Sequence, residues 1–269
     1  MKRRLSPEHR AEMRELLGGF VQHCEISKHL AGSIDLFVEH NGHKYGLPVF
    51  SFFGPPHRDL DSRFVGLLAR NQGSDKRTSE ALLQFLERLV LQPNLATGLV
   101  LSALPVTDPI ALESGNDFHP DELSEALERS IEAFATRALD GLVEISRTTR
   151  GQPTADADGP TYIRKAAIQT VESIDRLGRA TISGGFETRL SLRASTDTDC
   201  WKLRIGIPVT WSDQMTTSWT SQFLVIFLRR RIENLQRVEA VSYENEGNLL
   251  PIPRNRQRQS AWAAEEMYD

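Results

Sequence analysis

The stretch from Phe64 to Val106 constrains the fold more than any other part of the chain. Phe64-Val65-Gly66-Leu67-Leu68-Ala69 is a short continuous apolar run, the pattern of a strand covered on both faces. The polar loop Arg70 to Arg77 follows, and Thr78 or Ser79 is placed to cap a helix. In that helix Leu82, Leu83, Leu86, Leu89 and Val90 fall at helical spacing. Gln92-Pro93-Asn94 ends it, and Leu99 to Val106 is a second apolar strand, stopped by Asp108-Pro109. This succession is a βαβ unit with a right-handed crossover, so its two strands run parallel.

The flanking sequence extends the same plan. Ser6-Pro7-Glu8 is a helix-start pattern, with Leu16, Leu17 and Phe20 as its apolar stripe. Ile34 to His40 and Tyr45 to Phe53 read as two strands of a hairpin turning at Asn41-Gly42. His119-Pro120-Asp121-Glu122 opens a helix carrying Leu123, Leu127, Ile131 and Phe134. Leu139 to Ile145 is a third parallel strand, and Thr149 to Pro160 a loop. A helix from Tyr162 to Leu177, a strand from Cys200 to Val209 and a long helix from Gln214 to Val238 complete the main body. A single domain over 1–240 and a loosely ordered extension over 241–269 are expected.

Charge and cysteine content exclude several classes. The 32 basic and 36 acidic side chains leave a net charge of −4, so a general nucleic-acid binder is not expected. Two cysteines, Cys24 and Cys200, cannot form a disulfide framework, which suggests a reducing compartment. No run reaches the roughly 18 apolar residues of a membrane span. The basic start Met1-Lys2-Arg3-Arg4 lacks the apolar segment of a signal peptide. A cytoplasmic protein that binds neither nucleic acid nor membrane is expected.

Motifs of common chemistries are absent. There is no phosphate-binding G-x-x-x-x-G-K-[ST] or G-x-G-x-x-G, no G-x-S-x-G, no C-x-x-C and no H-E-x-x-H. Gly184-Gly185 reads as a tight turn. His23 and Cys24 are adjacent and point about 100° apart on a helix, which suits a buried structural cysteine rather than a dyad. His40 and His43 flank the hairpin turn as solvated residues. Arg254, Arg256 and Arg258 form a basic tail. In open α/β sheets ligands sit beyond the carboxyl ends of strands. That rule makes Gln72, Ser74 and Asp75, together with Ser146 and Arg147, candidate cleft residues.

Val65 to Asp75, with Ser79-Glu80-Ala81-Leu82-Leu83-Gln84-Phe85-Leu86-Glu87 after it, resembles the zinc carboxypeptidase superfamily. The similarity is to the branch of succinylglutamate desuccinylase and aspartoacylase, where a strand leads through His-Gly-Asp-Glu into a helix of the form A-L-x-x-F-L. Pro105 to Ala111 stands where that family has Asn-Pro-x-Gly, and Leu203 to Pro208 where a strand ends in Glu-Thr-Pro before a long helix. The resemblance spans residues 30 to 238 and is anchored in 64 to 112. It implies a three-layer α-β-α sandwich with a mixed, mainly parallel twisted sheet.

The resemblance also places the family's chemistry on this chain. Its first two zinc ligands match Gln72 and Asp75, and the third falls near Ser146. Its catalytic Glu matches Gly206. The family's substrate-clamping Asn-Arg pair has no visible counterpart, because Ser114 to Pro120 is short. All seven histidines, His9, His23, His29, His40, His43, His57 and His119, precede residue 120, whereas the family needs one from the later half. Glutamine is a poor zinc ligand, serine a rare one, and glycine cannot act as a base.

Three readings stand. In the first, the chain is a pseudoenzyme with no cofactor, and Gln72, Ser74, Asp75, Asp108, Ser146 and Arg147 line a cleft for a small ligand or protein partner. In the second, it is a zinc-dependent amide hydrolase with a relocated site. Asp75, His57 or His119 would hold the metal, and Asp108 or Glu113 would act as base. In the third, its role is structural, with the basic tail or the region of Trp211 and Trp219 as interface.

Overall fold

A computed structural model describes residues 11–40, 42–57, 61–73, 75–115, 119–136, 140–148, 159–175, 187–194 and 199–245. Ser74, the Ser6-Pro7-Glu8 helix start, residues 149–158 of the long loop, Gly184-Gly185 and the arginine tail lie outside them. The chain divides into two units, Met1–Ile232 and Glu233–Asp269. Of the second, the described residues are 233–245, which are helical.

The elements in chain order are α1 (Ala11–Ile26), β1 (Leu30–His40), β2 (His43–Phe53), β3 (Arg63–Ala69) and α2 (Arg77–Leu91). A single 3-10 turn (Pro93–Ala96) leads to β4 (Leu99–Leu104), followed by α3 (Pro109–Ser114), α4 (Asp121–Ala135) and β5 (Gly141–Thr148). α5 (Gly159–Asp175), β6 (Glu187–Ala194), β7 (Asp199–Pro208) and α6 (Asp213–Asn245) complete the list. The strands form one seven-stranded sheet in the order β1-β2-β4-β3-β5-β7-β6. β4, β3, β5 and β7 are mutually parallel, and β2 and β6 run against their neighbours.

Apolar alternation fixes the layers. On β3, Val65, Leu67 and Ala69 face one side and pack with Leu82, Phe85, Leu86 and Leu89 of α2, Ile163 of α5 and Phe223 and Phe227 of α6. Leu68 faces the other side with Leu36, Val38, Leu47 and Val49 of the hairpin and the Leu123, Leu127, Ile131 and Phe134 stripe of α4. The result is the expected three-layer sandwich, with the βαβ unit at its centre.

Several element boundaries differ from the sequence reading. α2 begins at Arg77, so Thr78 and Ser79 lie inside it rather than capping it, and Thr78 Oγ1 donates to the Arg70 carbonyl instead. β1 begins at Leu30 rather than Ile34 because a bulge between Ser33 and Leu36 breaks the period-two pattern. β5 extends to Thr148, so Ser146 and Arg147 are inside the strand and point to opposite faces. α3 lies where only a strand stop was read. Asp108 caps it and Pro109 occupies its first position. Among the described residues no helix is long and apolar enough to cross a membrane.

Candidate functional site

The loop leaving β3 is a tight turn. The Asp75 amide donates to the Gln72 carbonyl at 2.9 Å, and Gly73 between them has φ +52°. Such a turn needs a positive φ just after its first residue, which glycine supplies. The turn returns the chain directly into α2 and leaves Asp75 beside the helix N-terminus.

Two arginines hold the Asp75 carboxylate. Its Oδ1 accepts from the Arg77 amide at 3.1 Å and from Arg77 Nε at 2.9 Å. Its Oδ2 lies 3.5 Å from Nε of Arg147. The Arg147 side chain is only 1% exposed, and its Nη1 donates to Thr216 Oγ1 of α6 at 3.1 Å. Burial lowers the pKa of this guanidinium and the Asp75 carboxylate resists the shift; arginine remains charged regardless. Arg77 in turn reaches Asp213 Oδ1 at 3.4 Å and the Trp211 carbonyl at 3.4 Å. Asp75, Arg77, Arg147 and Asp213 therefore form an alternating charge cluster joining β5, α2 and α6.

A second cluster sits at the exit of β4. Asp108 Oδ1 accepts from the amides of Ile110 and Ala111, and Oδ2 pairs with His119 Nε2 at 2.5 Å. Asn71, which the sequence reading passed over, fastens this corner to β3. Its Oδ1 accepts from the Thr107 and Asp108 amides at 3.1 and 3.0 Å, and its Nδ2 donates to the Asp108 carbonyl at 2.7 Å.

Glu144, also missed, lies on the other face of β5 and is buried. Arg70 Nε approaches it at 2.6 Å, Lys202 Nζ at 2.8 Å and Arg204 Nε at 3.3 Å. Burial alone would raise its carboxyl pKa, but the three cations lower it. Arg70 is shared with Glu128, and these carboxylates together overcome the effect of burial to raise the guanidinium's pKa. A lone acid inside Leu142-Val143-Glu144-Ile145 was the sequence signal for this network.

The structure brings the motif-matched positions to one edge of the sheet. Gln72 and Asp75 leave β3, and Ser146 and Gly206 are directly paired across β5 and β7. Their side chains have separate surroundings. Gln72 is exposed, Ser146 Oγ donates to the Ile205 carbonyl, Gly206 offers no side chain, and Asp75 is engaged by two cations. A guanidinium against the carboxylate opposes a second positive charge at the same oxygens. Among the described residues no three His, Cys, Asp or Glu side chains gather as a metal site.

One expectation is corrected. His57 is not near Asp75: its Cβ lies against Gly98, just before β4 starts, whereas Asp75 lies beyond the end of the parallel neighbour β3. The two are at opposite edges of the sheet, so His57 cannot share a metal with Asp75. In the Trp211–Trp219 region one ring is buried and the other half-buried. Trp211 is buried and packs edge-on against Trp219, with ring centroids 4.9 Å apart. Glu113 serves α1, its Oε1 accepting from the Met13 amide at 3.1 Å.

No family model matches the sequence, and no curated protein does. Solved structures do match the fold. A metallo-carboxypeptidase from Burkholderia cenocepacia superposes with a TM-score of 0.53 at 12% identity, covering 83% of this chain and 69% of that one. A metallo-carboxypeptidase from Pseudomonas aeruginosa gives 0.52 at 12% identity, over 82% and 69%. Thrombin activatable fibrinolysis inhibitor gives 0.52 at 9% identity, over 85% and 78%. The chain has the zinc carboxypeptidase fold. On that carboxypeptidase scaffold, the carboxyl edge of β3, β5 and β7 carries an arginine–aspartate cluster.

Proposed function

We propose that this protein is a non-catalytic member of the carboxypeptidase-fold proteins, and that the carboxyl edge of its sheet binds a small ligand or a protein partner without a metal. One observation carries this reading. Asp75, matched by sequence to a zinc ligand, has its carboxylate held by Arg77 and faced by the buried Arg147. The neighbouring positions Gln72, Ser146 and Gly206 supply neither a strong zinc donor nor a base.

The test is the metal content of purified, tag-free protein after zinc exposure and buffer exchange, read by plasma mass spectrometry. The same sample is assayed for hydrolysis of acylated amino acids and short peptides. Background zinc with no hydrolysis is expected. One zinc per chain with zinc-dependent hydrolysis would replace this reading with that of an active hydrolase. The Asp108–His119 pair is the contact that favours such an alternative, and Asp108→Ala would then remove both metal and activity.

A further inference from the structure

Arginine presents two faces to a ligand. One of them, the edge formed by Nε and Nη2, is a fork of parallel donors matched to a carboxylate or phosphate. In Arg147 both of these donors are buried and neither makes a hydrogen bond among the described residues. The remaining nitrogen, Nη1, is anchored on Thr216. The guanidinium is thus held by its far end, with its recognition edge ion-paired to Asp75 but not hydrogen-bonded.

Buried donors without acceptors are costly, and native proteins rarely keep them without a reason. The approach to this edge is defined by Asp75, whose Oδ2 stands 3.5 Å from Nε as an ion pair without a hydrogen bond. The Asp75 side chain is 22% exposed, and Arg77 beside it 33% exposed. The solvent side of the cluster therefore consists of groups that can swing outward, and the fixed side is Arg147.

Resting on the reading of this edge as a metal-free binding site, we propose that its ligand is a small oxyanion. A carboxylate or phosphate group takes the Nε–Nη2 fork of Arg147, with Arg77 as second cation and Asp75 displaced toward solvent. Asp75 acts as an internal stand-in for that ligand. The charge pattern fits: expelling one carboxylate and admitting another leaves the cluster of two arginines and two anions unchanged.

The experiment uses the full chain and three proteins: wild type, Asp75→Asn and Arg147→Lys. Inorganic phosphate and acetate are titrated separately by isothermal calorimetry, with ionic strength held constant by chloride. Saturable one-to-one binding is expected for at least one anion, and which anion binds separates phosphate-bearing from carboxylate-bearing ligands. Asp75→Asn removes the internal competitor and should tighten binding by about tenfold. Arg147→Lys keeps the charge but loses the fork and should weaken it by about tenfold or more. If Asp75→Asn fails to fold, the wild type against Arg147→Lys still decides.

No saturable binding to wild type or Asp75→Asn overturns the proposal, as does equal binding by Arg147→Lys. The zinc content of the same preparations keeps the two readings apart. Background zinc without oxyanion binding sinks only the oxyanion site. Stoichiometric zinc with hydrolysis sinks the metal-free function beneath it.

Discussion

Asp75 Oδ2, from the loop after β3, and Arg147 Nε, from within β5, stand 3.5 Å apart at the edge of the sheet. Arg147 is almost wholly buried, so Asp75 is the anion that offsets its charge. Removing one member of a buried pair leaves the other uncompensated, and Asp75→Ala should cost about 2–4 kcal/mol. Urea denaturation measures this. The double variant Asp75→Ala/Arg147→Met should recover at least half of the loss, because the orphaned charge is gone. Additive losses would show that the two side chains are not coupled.

Glu144 sets an acid limit on stability. Its folded-state pKa lies below the unfolded value of about 4.3. A carboxyl shifted in this direction stabilises the fold above the unfolded pKa, and that stability is lost as pH falls through the folded pKa. Glu144→Gln should therefore cost about 2–3 kcal/mol at pH 7, with the gap to wild type closing below about pH 4. Parallel stability curves from pH 7 to pH 3 would refute this assignment.

Two glycines should respond in opposite ways to alanine. A Cβ at Gly54 would overlap the Ala96 carbonyl oxygen and lie 2.9 Å from the Leu99 carbonyl oxygen, both backbone atoms. Gly54→Ala is expected to cost about 3 kcal/mol or more. Gly19 lies within α1 with nothing within 4 Å of its built Cβ. Gly19→Ala should stabilise by about 0.5–1 kcal/mol through helix propensity. Thermal melts of the two variants should move in opposite directions.

Asn71 satisfies two backbone amides and one carbonyl at the β4 exit. Asn71→Ala leaves these groups without partners and should cost about 2–3 kcal/mol. Hydrogen exchange at Thr107 and Asp108 should accelerate well before the core of α2 is affected. Unchanged protection at those two amides would show that the side chain is dispensable there.

The parts of the fold that follow from short-range pattern were legible in the sequence. Leu82, Leu86 and Leu89 mark the buried stripe of α2, and Leu123, Leu127, Ile131 and Phe134 that of α4, because one face of a helix repeats on a fixed period. The parallel β3 and β4 followed from the length and continuity of their apolar runs. The short helix α3 was written in Asp108-Pro109 but read only as a stop, and β1 was shortened by a bulge that disrupts alternation. Within the candidate site, Gln72 and Asp75 were singled out by their position after a strand, and Ser146 and Arg147 by theirs at the end of another. Their roles were not.

The sequence by itself determined the alternation of strands and helices, which residues turn inward, and where glycine must permit a tight turn. These depend on neighbours a few positions apart. Only the tertiary structure decided that β3 lies between β4 and β5, that His57 and Asp75 occupy opposite edges, and that Arg147 is paired with a carboxylate 72 residues earlier in the chain. Periodicity tells a side chain which face to occupy but not which distant side chain it will meet there. That pairing depends on strand order and register, and through them the charges at this edge acquire their partners.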